Sequence, residues 1–582
     1  MKYNPNFDKF NILTIIIFSY SLIALQWNWA NVGNDQTPRI YFSWAMLILG
    51  AGWCWSQALY IGKIYFHSLF FLLVLPPLVV AGFSIFGLIG TKEYYPMLSF
   101  SALIFAALWV VGLIQLNLNE RQWEIIGWLV TVGTALLSVI ALISPPYLNI
   151  RKFFVLLPSP MTIIHGGFQQ PNLFSSYIGT VIIFQYWLVL RNPIKSSNLK
   201  FIILMAVSAI LAITLFLTAS RTGFLGLFVG LVLMTVWVFS EQKNNIKKHF
   251  LYLSTIFLAY ALATYLANHF TPDKVLIQRV QGTLAGQGIV SRANMWFVSF
   301  HIWLDHFWFG VGLDRFTEFY TDYYVSFVSQ IKNPFYEINL DHPHNEVLLW
   351  LLETGLVGCC FVMLPWVSLV LYPQIKSPIS TLGWFACLIP ISIHCMLEFP
   401  LHSSGAHWFL LCLVIAAGYD QLQLRSISFE WSLSFKRVLS ITVVAGFTIP
   451  FLIMIQTGYT SKLILEHMFY TKESYQDHLV EWSKSPEFNH PILGRLSNDL
   501  FLHDSIALIV QSGDSHLIKT WCPLIENYAL RWQNPYVWKA LGFCYIQNSN
   551  LEKFENLILK LDILEPSLSK SLKSVERSEN SK

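Results

Sequence analysis

Residues 201–240 read FIILMAVSAILAITLFLTASRTGFLGLFVGLVLMTVWVFS. Two apolar runs flank one short polar turn, and each has the length of about 20 residues that a helix needs to cross hydrocarbon. In lipid a spanning segment must satisfy its own backbone, which leaves helices and closed barrels. Continuous apolar runs, without the alternation of a barrel strand, select the helix. The turn carries Arg221, two residues before Gly223, where a charge next to hydrocarbon is expensive.

The rest of the chain repeats the pattern. Of 582 residues, 55% are hydrophobic and only 12% charged, and mean hydropathy is +0.52. Soluble domains carry about 25% charge. The 22 Trp and 25 Tyr suit membrane interfaces. The net charge of +4 is spread out, with no basic stripe and no interleaved base-stacking aromatics, so nothing points to nucleic acid. Thirteen apolar runs emerge, at 9–29, 39–60, 67–90, 97–116, 123–146, 172–190, 201–219, 222–240, 249–267, 345–371, 381–399, 405–420 and 436–456. The expected fold is an all-α polytopic membrane protein with about 13 transmembrane helices. The first run follows Lys2 and Lys9, but it is long for a signal peptide and Asn28-Trp29-Ala30 is a poor cleavage site, so it reads as a retained span.

Fourteen lysines and arginines, among them Lys63, Arg191, Lys200 and Arg425, fall in one set of loops. Five (Arg39, Lys92, Arg151, Lys152 and Arg221) fall in short loops of the other set. The positive-inside rule then places the N-terminus inside. The 76-residue loop 268–343 and everything after about 457 fall outside. The chain thus divides into N-terminal spans (1–267), a long outer loop (268–343), C-terminal spans (344–456) and an outer helical region (457–582). In that last region WKALGFCY (538–545) fits the start of a tetratricopeptide helix, with a second helix from Leu551 to Ile563. The polar tail 567–582 reads as disordered. Cys54, Cys359, Cys360, Cys387, Cys395 and Cys412 lie in spans as packing residues. The outer compartment permits a Cys522–Cys544 disulfide, and the sequence leaves that pairing open. No CxxC or HExxH occurs, so no metal or redox site is supported. In the long loop, Trp296, Phe300, Trp303 and Phe307 form one apolar helical face suited to the membrane boundary. GVGLDRF (310–316) follows as a Gly-rich turn.

This topology gathers polar groups from four outer stretches: His165, Gln169, Gln170 and Asn172; Arg221; Arg279 and Arg292; and His342, His344 and Asn345. Arg221 reads either as a snorkelling arginine or as an anion clamp, since a guanidinium offers phosphate a planar bidentate fork at any relevant pH. His344 suits a general base near neutral pH, with Asp341 or Glu346 to orient it. His342 suits a substrate contact, and Asn345 suits either a helix cap or a substrate contact. Glu353 lies about 13 Å further along the helix by the 1.5 Å rise, on another face, and takes no catalytic role. Glu398 and His402 end another span on the same side.

Residues 344–358 read His-Asn, nine residues, Gly355, two residues, Gly358. This resembles the H-[NSQ]-x9-G-x2-[GTY] signature of bacterial O-antigen ligases and their polymerase and oligosaccharyltransferase relatives. SRTG (220–223) resembles the arginine hairpin of that group, and 291–316 resembles the start of its long periplasmic loop. QQPN (169–172) and a region after the last span make the chain most similar to the protein O-oligosaccharyltransferases of the PglL/PilO type. The resemblance implies en bloc transfer of a glycan from undecaprenyl pyrophosphate to Ser or Thr hydroxyls of periplasmic proteins such as type IV pilin. It also implies a multi-pass protein of the bacterial inner membrane, with its site and C-terminus in the periplasm.

The residue types suit that chemistry. Negative charge gathers on the leaving diphosphate, and fixed cations (Arg221, with Arg279 or Arg292) stabilise it without calling on a metal or other cofactor. His344 takes the acceptor proton, and Gln169, Gln170, Asn172 and His165 position the donor. Direct displacement inverts the anomeric carbon, since no carboxylate pair suggests a covalent intermediate. Two other readings stand beside it: a ligase or polymerase whose acceptor is a sugar hydroxyl, and a polysaccharide transporter. Transporters place polar groups at mid-membrane within internal repeats, a pattern this sequence lacks.

Overall fold

The computed structural model describes residues 5–26, 38–85, 94–143, 170–191, 198–270, 287–331, 342–420, 424–468 and 514–580, with isolated positions among 166–168, 336–340, 422 and 490–512. Every expected apolar run coincides with a helix: α1 (Pro5–Ser19, extended by a π turn Tyr20–Ala24), α2 (Pro38–Ile61), α3 (Ser68–Ile85), α4 (Tyr94–Gln115), α5 (Glu120–Ile143), α6 (Pro171–Leu190), α7 (Asn198–Leu217), α8 (Arg221–Glu241), α9 (Ile246–Phe270), then α12 (Glu346–Lys376), α13 (Leu382–Leu397), α14 (Gly405–Tyr419) and α15 (Leu433–Met468). Among the described residues, seven helices are long and apolar enough to cross a membrane, and four shorter apolar helices accompany them. The protein is an all-α polytopic membrane protein. One two-stranded ribbon interrupts the helices, with β1 (Lys63–Phe66) antiparallel to β2 (Arg425–Ser428) in the register Lys63↔Ser428.

The chain forms two compact units. The first comprises 1–81, 97–284 and 361–462. Lipid offers no hydrophobic force between helices, so small residues that permit close approach decide their packing. On α8, a Cβ at Gly226 would lie 2.8 Å from Pro390 Cα, and one at Gly230 would lie 2.2 Å from the Ile183 side chain. The glycines of GFLGLFVG therefore seat α8 against α6 and α13. Polar contacts in this unit respect the expected sidedness. Arg191 pairs bidentately with Asp420, Lys200 pairs with Glu124 at 3.0 Å, and β1 pairs with β2. Each contact joins ends that the charge pattern puts on one side of the bilayer.

The second unit comprises 82–96, 285–360 and 463–582. It includes α10 (Gln287–Asp305), α11 (Phe316–Phe327) and the C-terminal helices α16 (Ser515–Arg531), α17 (Pro535–Gln547), α18 (Leu551–Leu564) and α19 (Pro566–Asn580). WKALGFCY lies on α17, and the second expected helix is α18. Trp538, Ala540, Cys544, Leu561 and Leu572 share one core with Ile525. Cys522 and Cys544 are disulfide-bonded. Tyr336 packs against Trp538 and hydrogen-bonds Thr321 on α11 (2.8 Å), while Lys560 pairs with Asp322. One expectation changes here. The tail is not disordered but forms α19, because its sparse Leu568, Leu572 and Val575 fall on one helical face and Leu572 is buried. On α10 the face turned to the core is Met295, Val298 and Ile302, and Phe300 of the aromatic stripe is exposed.

The helix α12 is broken. Gly355 has φ +64° and ψ −172°, which removes it from the helical ladder. The segment 307–312 fills the break. Val311 and Gly312 N–H donate to the Leu352 and Glu353 carbonyls (2.8 and 3.0 Å), and Leu356 and Val357 N–H donate to the Phe307 and Trp308 carbonyls (2.8 and 3.2 Å). The Glu353 carboxylate accepts from Asp314 N–H at 2.9 Å. Glu353 is thus a structural acceptor beside the Gly-rich turn. A Cβ on Gly355 would lie 2.3 Å from Trp308 backbone atoms.

A Gly355→Ala variant is expected to lose about 2–4 kcal/mol, from the left-handed backbone plus the clash, and to melt well below wild type in detergent. Gly446→Ala, where a Cβ meets nothing within 4 Å, is expected to be neutral or slightly stabilising. Equal melting of the two variants would contradict the interlock.

Candidate functional site

Arg221 opens α8 after a tight turn. Thr218 N–H closes on Thr214 and Leu215, Ala219 adopts φ +56°, and Ser220 caps α8 by accepting from Gly223 N–H at 3.1 Å. Arg221 is exposed in the first turn. A cation at the positive end of a helix dipole is unfavourable by itself, so this placement suits an anionic partner. Position 223 must be small because Ser175 of α6 lies against it: a Cβ there would sit 2.2 Å from Ser175 Oγ.

The start of α6 anchors this turn. Ser220 Oγ donates to Asn172 Oδ1 (2.7 Å), and Asn172 Nδ2 donates to Glu398 Oε1 (3.4 Å). Three sequence-distant stretches, QQPN, SRTG and EFPLHSS, therefore meet through one buried-to-half-buried chain of hydrogen bonds, as their common side predicts. One turn deeper, Ser176 Oγ lies 2.7 Å from His394 Nδ1 and 3.0 Å from His407 Nε2, and His407 Nδ1 lies 2.8 Å from Ser404 Oγ. Sequence reading did not single out this second layer. Its signal was the small polar Ser175-Ser176 pair inside an otherwise apolar run, facing histidines on two other spans.

The histidine tip belongs to the second unit. Helix α12 begins at Glu346, so His344 precedes the first turn instead of lying within it. His344 adopts φ +48°, a left-handed conformation that costs a non-glycine residue about 1 kcal/mol or more and that clusters at functional sites. Two contacts hold the tip. Trp296 Nε1–H donates to the Pro343 carbonyl (2.8 Å), and Asn345 Oδ1 accepts from Leu348 N–H (2.9 Å), capping α12. Asn345 therefore has the capping role that its position allows, and Trp296 has a positioning role its aromatic spacing did not reveal. The His342 and His344 rings lie edge to face at 4.4 Å, with His342 buried and His344 half-buried. Arg292 is half-buried on α10, and Gln170 is half-buried as the residue before α6, where its side chain does not cap the helix. His165, Gln169, Arg279 and Asp341 lie outside the described residues.

Residues 206–363 match the family model described as O-Antigen ligase. Residues 382–495 match the one described as Virulence factor membrane-bound polymerase, C-terminal. The first match contains both Arg221 and the His344–Gly358 motif. The chain is also 24% identical over 268 residues to the Teichuronic acid biosynthesis protein TuaE of Bacillus subtilis (strain 168), an alignment covering 43% of this chain and 51% of that protein. The chain thus matches about half the length of this curated relative.

The Ser220–Asn172 bond is testable without any activity. In a double-mutant cycle of Ser220→Ala and Asn172→Ala, read by detergent-solubilised unfolding, a coupling of about 0.5–1.5 kcal/mol is expected. Strict additivity would show that the bond does not hold the arginine turn.

Proposed function

We propose that this chain, a member of the O-antigen ligase superfamily by its matches, transfers an oligosaccharide en bloc from undecaprenyl pyrophosphate to Ser or Thr hydroxyls of extracytoplasmic proteins such as type IV pilin. The observation that carries the reading is the built histidine tip: a left-handed His344, held by Trp296 through Pro343, directly ahead of a capped helix. A histidine with strained backbone, between a held Pro343 and a capping Asn345, is pre-organised to present its imidazole to an incoming hydroxyl. The developing alkoxide attacks the anomeric carbon, the bond to the diphosphate oxygen breaks, and the diphosphate leaves with the electron pair. Arg221 meets that charge, with Arg279 or Arg292 in support. Gln169, Gln170, Asn172, His165, His342 and Asn345 position donor and acceptor, Asn172 and Asn345 also shaping the backbone that carries Arg221 and His344. Direct displacement of this kind inverts the anomeric centre and asks for no cofactor. The protein works in the bacterial inner membrane, with these groups and the C-terminal helices on the periplasmic face.

A second reading has its own support. The match of 382–495 to a polymerase C-terminal model and the likeness to a teichuronic acid biosynthesis protein favour a sugar hydroxyl as acceptor. The same base and the same clamp would serve it. Purified protein given lipid-linked glycan with either a pilin peptide or a lipid-linked sugar acceptor separates the two by which product forms.

With the productive acceptor, His344→Ala is expected to lower transfer about 100- to 10,000-fold at normal membrane abundance. Near-normal transfer would remove His344 as the base. Arg221→Lys keeps the charge but not the fork, and transfer is expected to fall at least tenfold. Full activity in Arg221→Lys would leave it a headgroup anchor.

A further inference from the structure

Helix α10 is sided. Met295, Val298 and Ile302 turn inward and share a core with Phe316, Tyr320 and Tyr324 of α11. The opposite edge carries Phe300, Leu304 and Trp308 at four-residue spacing, joined by Phe309, and these four residues are 47–59% exposed. Exposed Asp305 turns to α11, where it accepts from the Tyr323 hydroxyl at 2.8 Å. The exposed residues of α11 are Asp322 and Ser326. Around one core, then, α11 shows polar side chains outward while α10 shows rings and a leucine. A contiguous apolar stripe of this kind marks a surface that lipid or protein covers.

The far end of the stripe decides between those covers. Leu356 and Val357 N–H donate to the Phe307 and Trp308 carbonyls, which fastens that end to α12 just past the break at Gly355. From Leu356 the helix runs 21 residues to Lys376, whose charge belongs at a membrane surface. At 1.5 Å per residue those residues span about 30 Å, the thickness of the hydrocarbon layer. The fastening point therefore falls at the other edge of that layer. Trp308 and Phe309 stand at the level where aromatic rings favour the interface, with Leu304 and Phe300 following one and two turns back along α10.

We propose that Phe300, Leu304, Trp308 and Phe309 form a lipid-docking face by which α10 rests against the acyl-chain boundary of the bilayer. One turn before Phe300, Trp296 holds the Pro343 carbonyl, so the bilayer supports the same helix that positions the histidine tip. The face does not rest on the function proposed above.

The test uses the full-length protein in phosphatidylcholine nanodiscs, with the fluorescent residue acridonylalanine placed at Leu304 or, as a reference on α11, at Ser326. Two quenchers are compared: phosphatidylcholine brominated on its acyl chains, and aqueous iodide. The probe at Leu304 is expected to be quenched several-fold more by bromolipid than the probe at Ser326, and several-fold less by iodide. Equal bromolipid quenching at the two positions overturns the proposal, because the stripe would then face water. A Leu304 probe reached by neither quencher also overturns it, and marks a face covered by protein, a second copy of the chain included. Should the Leu304 protein fail to accumulate, Phe300 takes the probe and is read in the same way. Because quenching is read without turnover, absence of glycan transfer would fail the proposed function and leave this face standing.

Discussion

A membrane helix broken in its course must have its freed carbonyls and N–H groups satisfied by protein, because hydrocarbon offers no partner and each orphan costs several kcal/mol. In this chain the break is at Gly355, and the partner is the segment 307–312. Four reciprocal backbone bonds and the Glu353 carboxylate turn two distant segments into one rigid piece. The histidine tip depends on it. Helix α10, which carries Trp296, runs directly into 307–312, and α12, which carries the tip at its start, is the helix they repair. The spacing between His344 and Gly355 thus has a mechanical meaning: about three turns separate the histidine tip from the point where the helix is clamped.

In the other unit the organising element is the N-terminal end of α6. Asn172 spans Ser220 and Glu398, so the arginine turn and the end of α13 are tied to one helix start. Ser176, one turn below, meets two histidines from α13 and α14. Buried polar groups specify geometry only when they are satisfied, and these two layers are strongly bonded where apolar packing alone would allow helices to slide. The glycines of α8 supply the close approach that brings those bonds within reach.

The chemistry follows from where charge is placed. Arginine at the positive end of α8 stands against ordinary electrostatic preference.

The thirteen helices were legible because crossing hydrocarbon is a demand on length and apolarity along one dimension. That the ends bearing Lys63 and Arg425, Arg191 and Asp420, and Lys200 and Glu124 share a side was an expectation from charge, and the contacts among those ends agree with it. His344 and Arg221 stood out because polar residues at span ends are few. What the sequence could not state was the partner of each buried group. Trp296 read as one more aromatic on a stripe, Arg39 as one more loop cation, and 567–582 as a polar tail. Tertiary structure alone decided that the indole donates to Pro343, that Arg39 is enclosed beside Phe168, and that Leu572 reaches a core. Helix placement depends on the composition of each segment by itself. Hydrogen-bond completion depends on which segments approach within about 3 Å, a relation among distant residues that no single stretch contains.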